Sequence, residues 1–244
     1  RLVGSEMCIR DRGGGGRPGD DSTGPAVAFD THTFTQFSKL SGAVPMIGVN
    51  HGRCFAGNTA LLACCDVIIA TEDSTIAMGG PAMIEGGGLG IYTPEEVGPM
   101  SFQVPNGVVD ILVENEAEAV RVAKQYLSYF QGSISTWKAA DQRKLRHIVP
   151  ENRLRLYDMR EIISTIADRE SVLEIRAGFG VGVITCFIRV EGKAVGVIAN
   201  NPHHLAGAID SDAADKGTRF IQLCDAFDIP ILSLMDCPGM MVGP

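Results

Sequence analysis

The sequence predicts an α/β protein built as two lobes that mix strands and helices in the β-α-β manner, and three observations carry that prediction. In Val44–Glu85 an apolar run (Met46–Val49) enters a Gly-bearing turn, then a small-residue segment (Ala56–Cys65), then a second apolar run (Val67–Ala70). That order is strand, tight turn, helix, strand. A second block with the same mixture of strands and helices follows residue 154. Between the blocks, residues 132–153 hold Trp137, many charges and Pro150 without a sustained apolar period, as a linker would.

The elements follow in order. Phe34, Phe37 and Leu40 at helical spacing predict a short helix over Thr33–Leu40. Pro45–Asn50 is a buried strand, Asn58–Cys65 a helix and Asp66–Ala70 the next strand, with Ile76–Gly80 a further short one. Glu85–Pro105 is rich in Gly and Pro and predicts a long ordered loop. Val108–Val113 is a strand. Glu116–Phe130 is a helix with acids in its first turn and a stripe of Val120, Ala123, Leu127 and Phe130. In the second block Leu156, Met159, Ile163 and Ile166 mark a helix. Val183–Val190 and Lys193–Asn200 form a hairpin across Glu191-Gly192. Ala213–Phe227 is a helix with Gly217, Phe220, Cys224 and Phe227 inward, and Pro230–Met235 is a strand.

The bulk properties narrow the function classes. The chain has 244 residues, 45% hydrophobic and 20% charged, enough for one large or two modest cores. A net charge of −8 and no clustered Lys/Arg face argue against a nucleic-acid partner. No run of about 18 apolar residues is present to span a membrane. The seven cysteines are scattered, Cys64 and Cys65 are adjacent within an apolar helix, and no CxxC occurs. Free thiols in a reducing, cytoplasmic compartment and no metal site are therefore expected. The phosphate-loop pattern GxxxxGK[ST] is absent.

The opening RLVGSEMCIRDR lacks periodicity and an apolar h-region, and looks like a translated sequencing adaptor. Residues 1–25 are expected to be disordered and non-native. The chain closes on Met241–Pro244, directly after an apolar strand and a Pro-Gly turn. A fragment truncated at both ends is expected.

The stretches Val44–Ala82, Val104–Gly132 and Leu154–Gly243 resemble the carboxyltransferase (β) subunit of biotin-dependent acyl-CoA carboxylases, the propionyl-CoA and acetyl-CoA carboxylase group. The resemblance implies an α/β, ClpP/crotonase-like fold with two incomplete lobes of β-β-α type. Residues 26–131 would be a partial acyl-CoA lobe, 132–153 the linker and 154–244 a partial biotin-facing lobe. It implies transfer of a carboxyl group from carboxybiotin, on a separate carrier domain, to the α-carbon of a short acyl-CoA. Proton loss there makes an enolate-like oxygen, which backbone N–H donors stabilise. The family places two small residues at that turn, and they align with Ala56 and Gly57; Ala in place of Gly is a departure. Gly79, Gly80 and Pro81 resemble the wall of the acyl-CoA pocket, and an ordinary turn is the equal alternative. Glu85–Gly90 is a candidate flap. Asn200, Asn201 and Gly207 resemble the loop on the biotin side. His203 and His204 are expected to be solvated loop residues, because spacing fixes no partner carboxylate. The Asp of Asp236-Cys237-Pro238-Gly239 is more often structural than catalytic. The family's second oxyanion turn would lie beyond Pro244. The implied partners are acyl-CoA, a biotin carboxylase/carrier subunit and further copies of the chain, with sites shared between protomers.

Three alternatives stay open: a decarboxylase-type carboxyltransferase, a single-lobe crotonase hydratase or isomerase, and an inactive CoA-binding assembly module. The second-lobe match argues against the hydratase.

Overall fold

The computed structural model describes residues 9–11, 32–152 and 154–242. The chain divides into two compact units, 1–123 and 124–244. The first unit opens with β1 (Ile9–Asp11) and α1 (His32–Ser38), followed by β2 (Ile47–Asn50), β3 (Arg53–Phe55), α2 (Gly57–Ala63), β4 (Val67–Thr71), β5 (Thr75–Ala77) and α3 (Pro81–Gly86). A 3-10 turn (Pro94–Glu96), α4 (Met100–Gln103), β6 (Ile111–Val113) and the start of α5 (Glu116–Ser128) complete it. β1, β2, β4 and β6 pair in that order, all parallel, and β3 and β5 form a separate parallel pair. Every residue of β2 and β4 is buried, which their unbroken apolar runs require. A methyl group at Gly48 would strike the Leu62 side chain, so glycine lets α2 lie directly on β2. The strand starts are fixed by carboxylates: Asp66 accepts from the Met46 amide and Asp110 from the Ile68 amide, both at 2.7 Å.

The second unit holds the end of α5, α6 (Leu145–Ile148), α7 (Met159–Ile166), β7 (Leu173–Ile175), β8 (Val183–Val190), β9 (Lys193–Asn200), α8 (Ser211–Ala226) and β10 (Ile231–Leu234). Its sheet runs β10-β9-β8-β7, antiparallel except for the parallel β10–β9 pair. Side chains of β8 alternate between two faces. Ile184, Cys186 and Ile188 pack with Met159 and Ile163 of α7. Phe187, from the other set, meets Tyr126, Tyr129 and Phe130 of the α5 end and Phe220 of α8.

Several expectations need correction. The boundary falls at Ala123/Lys124 rather than at 132–153, because the aromatic end of α5 packs around Phe187. The buried stripe of α5 is Ala119, Val122, Ala123 and Tyr126; Val120 is half exposed. Residues 132–153 are not a bare linker. Ile134 donates to the Gly192 carbonyl, Arg169 to the Lys138 carbonyl, and Ala139 bridges Asp168. Glu85–Pro105 holds the end of α3, a 3-10 turn and α4. Ile9–Asp11 pairs with β2, against the expectation for residues 1–25. The rest of that segment lies outside the described residues.

Burial gives the second unit a pH signature. Desolvation pushes the Lys216 ammonium down to about 8 from 10.5, and the Cys186 and Cys224 thiols up to about 12 from 9. Between pH 8 and 9 the unfolded chain keeps a lysine proton that the folded chain has released. Stability therefore rises with pH there, by at most about 1.4 kcal/mol per unit. Above 9 the two thiols keep protons in the folded chain that they lose in the unfolded one. They outweigh the lysine, and stability falls. Urea midpoints are expected to rise from pH 8, turn over near 9 and decline, and K216M should remove the rise.

Candidate functional site

The turn after β3 is shaped by backbone geometry. Ala56 caps α2 at φ 55°, ψ −125°, a conformation that L-residues other than glycine rarely adopt. Thr59, buried beneath the turn, donates to both the Cys54 and Ala77 carbonyls at 2.9 Å and fixes it from below. The two expected donors differ. The Ala56 N–H is directed at the Ala77 carbonyl, 3.3 Å away. The Gly57 N–H belongs to the first turn of α2, ahead of any intrahelical acceptor, and Gly57 is solvent-exposed. The strain at Ala56 has a measurable consequence. A strained position costs about 1–3 kcal/mol, and glycine gives back up to about 1 kcal/mol through its freer unfolded chain. A56G is therefore expected to raise the urea unfolding free energy by about 1 kcal/mol.

Of Gly79, Gly80 and Pro81, Gly80 packs on Phe55, the residue before this turn. Gly80 caps α3 with Pro81 at its first position, and a methyl at Gly80 would sit 3.6 Å from the Phe55 ring. Phe34 of α1 closes the other side: a methyl at Gly57 would lie 3.2 Å from its ring. Phe34 thus flanks the exposed Gly57, while the Phe55 ring under Gly80 is part of the core.

In the second unit Asn200, Asn201 and Gly207 do come together, through a strained loop. Leu205, Ala206 and Gly207 have φ of 47°, 52° and 88°. The Asn200 amide donates to the Gly207 carbonyl at 2.9 Å, and that of Asn201 to the Val181 carbonyl at 2.8 Å. These side chains hold the loop in shape. His203 is exposed, as expected, but His204 is not a bare loop residue. Its Nε2 lies 2.8 Å from Asp210, which also caps α8 through the Ala213 amide. That amide first, and then His204, hold the Asp210 carboxyl below its ordinary range. Spacing missed the pair because three successive left-handed residues fold His204 back onto Asp210. Asp236 accepts from the Tyr157 hydroxyl at 2.6 Å. Among the described residues no group of three His, Cys, Asp or Glu side chains could hold a metal ion, and no helix is long and apolar enough to cross a membrane.

The α/β layers, the strained small-residue turn and the second β-rich unit match the crotonase-like architecture of solved carboxyltransferases. The chain belongs to the carboxyl transferase domain family, which matches residues 9–244. A solved single-chain, multi-domain long-chain acyl-CoA carboxylase shares 56% identity with a TM-score of 0.90, over 94% of this chain and 23% of that one. The hexameric transcarboxylase 12S, solved with hydrolysed methylmalonyl-CoA, shares 32% identity with a TM-score of 0.76, over 86% of this chain and 44% of its own. The propionyl-CoA carboxylase beta chain of Cereibacter sphaeroides is 36% identical over 214 residues, 83% of this chain and 42% of that protein. The chain thus spans less than half the length of such relatives.

Proposed function

We propose that this chain forms part of the carboxyltransferase component of a biotin-dependent acyl-CoA carboxylase. The observation that carries the reading is the strained Ala56 cap, which holds the exposed Gly57 amide at the start of α2 in a chain of this family. A thioester carbonyl set against that amide gains a donor, and the positive end of the short helix, just where negative charge grows on proton loss. Gly79, Gly80 and Pro81 flank the acyl-CoA. The loop of Asn200, Asn201 and Gly207 faces carboxybiotin delivered by a separate carrier subunit. The protein works in the cytoplasm as a homo-oligomer with sites shared between protomers. The relatives' names divide over chain length, propionyl on one side and long-chain on the other.

The test supplies a carboxylated biotin carrier and acyl-CoA thioesters from acetyl to palmitoyl. The whole protein carrying this chain should form the carboxylated acyl-CoA, and the 244-residue chain alone should not. No product from the whole protein with any thioester would overturn the reading. Turnover by the chain as a soluble monomer would overturn the shared site.

A further inference from the structure

The segment from Pro81 to Glu96 departs from the usual economy of a protein surface. Met83, Leu89 and Ile91 are 66%, 73% and 83% exposed, and Met78, just ahead of the segment, is 62% exposed. Single exposed apolar residues are ordinary; four such side chains within fourteen consecutive residues are not. Between them stand Gly86, Gly87, Gly88 and Gly90, with Gly88 and Gly90 at φ of 70° and 120°. The connecting backbone is therefore easy to bend.

Both ends of the segment are fastened to the same short strand. At the start, Gly80 packs on Phe55 of β3. At the end, Arg53 of β3 donates to Glu95, with Nε at 3.1 Å, and a Thr93–Glu96 capping box holds the 3-10 turn. β3 is the strand that delivers Ala56 and Gly57. The glycine-linked apolar stretch is thus tethered beside the candidate thioester position, in the same unit. Phe34, 40% exposed, extends the apolar surface across Gly57.

We propose that Met78, Met83, Leu89 and Ile91 form the track for the tail of a medium- or long-chain acyl-CoA, with the glycines letting the segment fold down over it. This deepens the reading above and rests on it: the thioester sits at Gly57 and the chain leaves along α3. The chemistry favours an acyl chain. Methionine is unbranched and polarizable, and adapts to a flexible methylene chain of variable length. Among these four side chains there is no charge to desolvate. Full burial of one methylene is worth about 0.8 kcal/mol, or about fourfold in affinity, so even a partly covered track separates short from long chains clearly.

The experiment is calorimetric titration of the whole protein carrying this chain with CoA, acetyl-CoA and decanoyl-CoA, the last kept below its micelle concentration. Decanoyl-CoA should bind at least about tenfold more tightly than acetyl-CoA. The uncharged double variant Met78→Gln/Met83→Gln should abolish that difference by lowering decanoyl-CoA affinity to that of acetyl-CoA. Leu112→Glu, at an exposed apolar residue of β6, should change neither. Equal binding of the two thioesters, or a chain-length preference that survives the double variant, would overturn the track while leaving the thioester position standing. If the double variant instead dissolves a dimer without touching decanoyl-CoA affinity, a second copy covers the surface and the proposal fails. If no CoA compound binds, the acyl-CoA reading falls and takes the track with it.

Discussion

Gly57→Val is expected to weaken acyl-CoA binding by about 100-fold, near 2.7 kcal/mol, in a protein that still folds. The argument is steric. Gly57 is exposed at the first position of α2, and a Cβ there would point at the Phe34 ring, 3.2 Å away. Valine adds two methyl groups beyond that point and fills the gap through which, on the proposed reading, a thioester would reach the amide. The backbone itself can accept valine, because Gly57 is a helical residue and has no positive φ. Helix propensity favours valine over glycine by a few tenths of a kcal/mol, and Phe34 has solvent into which it can swing. Gly57→Ala should fall between, at about tenfold. Calorimetry with acetyl-CoA, beside a circular dichroism check of folding, measures both. Unchanged affinity in a folded Val variant would remove the thioester from this turn.

Which parts of the molecule were legible depends on whether the determining partner was close in sequence. The β8–β9 hairpin was readable to the residue, since both strands are apolar and a two-residue turn joins them. Glu191 and Gly192 both take positive φ, 50° and 77°, as a type I′ turn needs. β2 and β4 were readable because continuous apolar runs have few other homes. The strand–turn–helix at Ala56 was readable for the same reason, although the strain was not: sequence shows an alanine where glycine would be easy, and only φ shows that the alanine took glycine's conformation. α3 was missed because glycines bracket it, although Pro81 directly after Gly80 was a start signal in plain view. The stripe of α5 was read out of phase because it left out Tyr126 and Tyr129. In the fold their rings are buried, and the Tyr129 hydroxyl donates to the Ser171 carbonyl. The segment 132–153 looked like a linker because what holds it, backbone bonds to Arg169 and Gly192 and the distant Arg189 side chain, leaves no local pattern.

That arginine carries the largest expected effect on stability. Arg189→Met should lower the unfolding free energy of the second unit by about 3–5 kcal/mol. Arg189 is only 4% exposed. Its guanidinium donates to the carbonyls of Ser128 at 2.5 Å, Gly132 at 3.1 Å and Gly192 at 2.5 Å, with the Tyr129 ring centroid 5.4 Å away. Those carbonyls belong to three separate pieces of chain. Ser128 ends α5, where helix carbonyls lack intrahelical donors and the dipole favours a cation; Gly132 starts the 132–139 strap; Gly192 is the hairpin turn. Methionine matches the stem but donates nothing, so three carbonyls lose a charged donor at once; Gly192 keeps the Ile134 amide and Ser128 the Gln131 amide. Arg189→Lys should recover only part of the loss, because one ammonium cannot reproduce the planar fork that reaches three directions. Asp168 ties the same turn from its other side, accepting from the Gly192 amide at 2.7 Å and the Glu191 amide at 3.2 Å. The two losses should therefore be non-additive, since each alone already frees the turn. Trp137, the chain's single tryptophan, sits in the strap and reports on it directly. In urea its emission should shift at a lower concentration in Arg189→Met, ahead of the far-ultraviolet dichroism, as the strap lifts before the sheet melts. Coincident transitions at the wild-type midpoint would mean that packing of the Phe187 cluster, rather than this guanidinium, holds the strap and hairpin together.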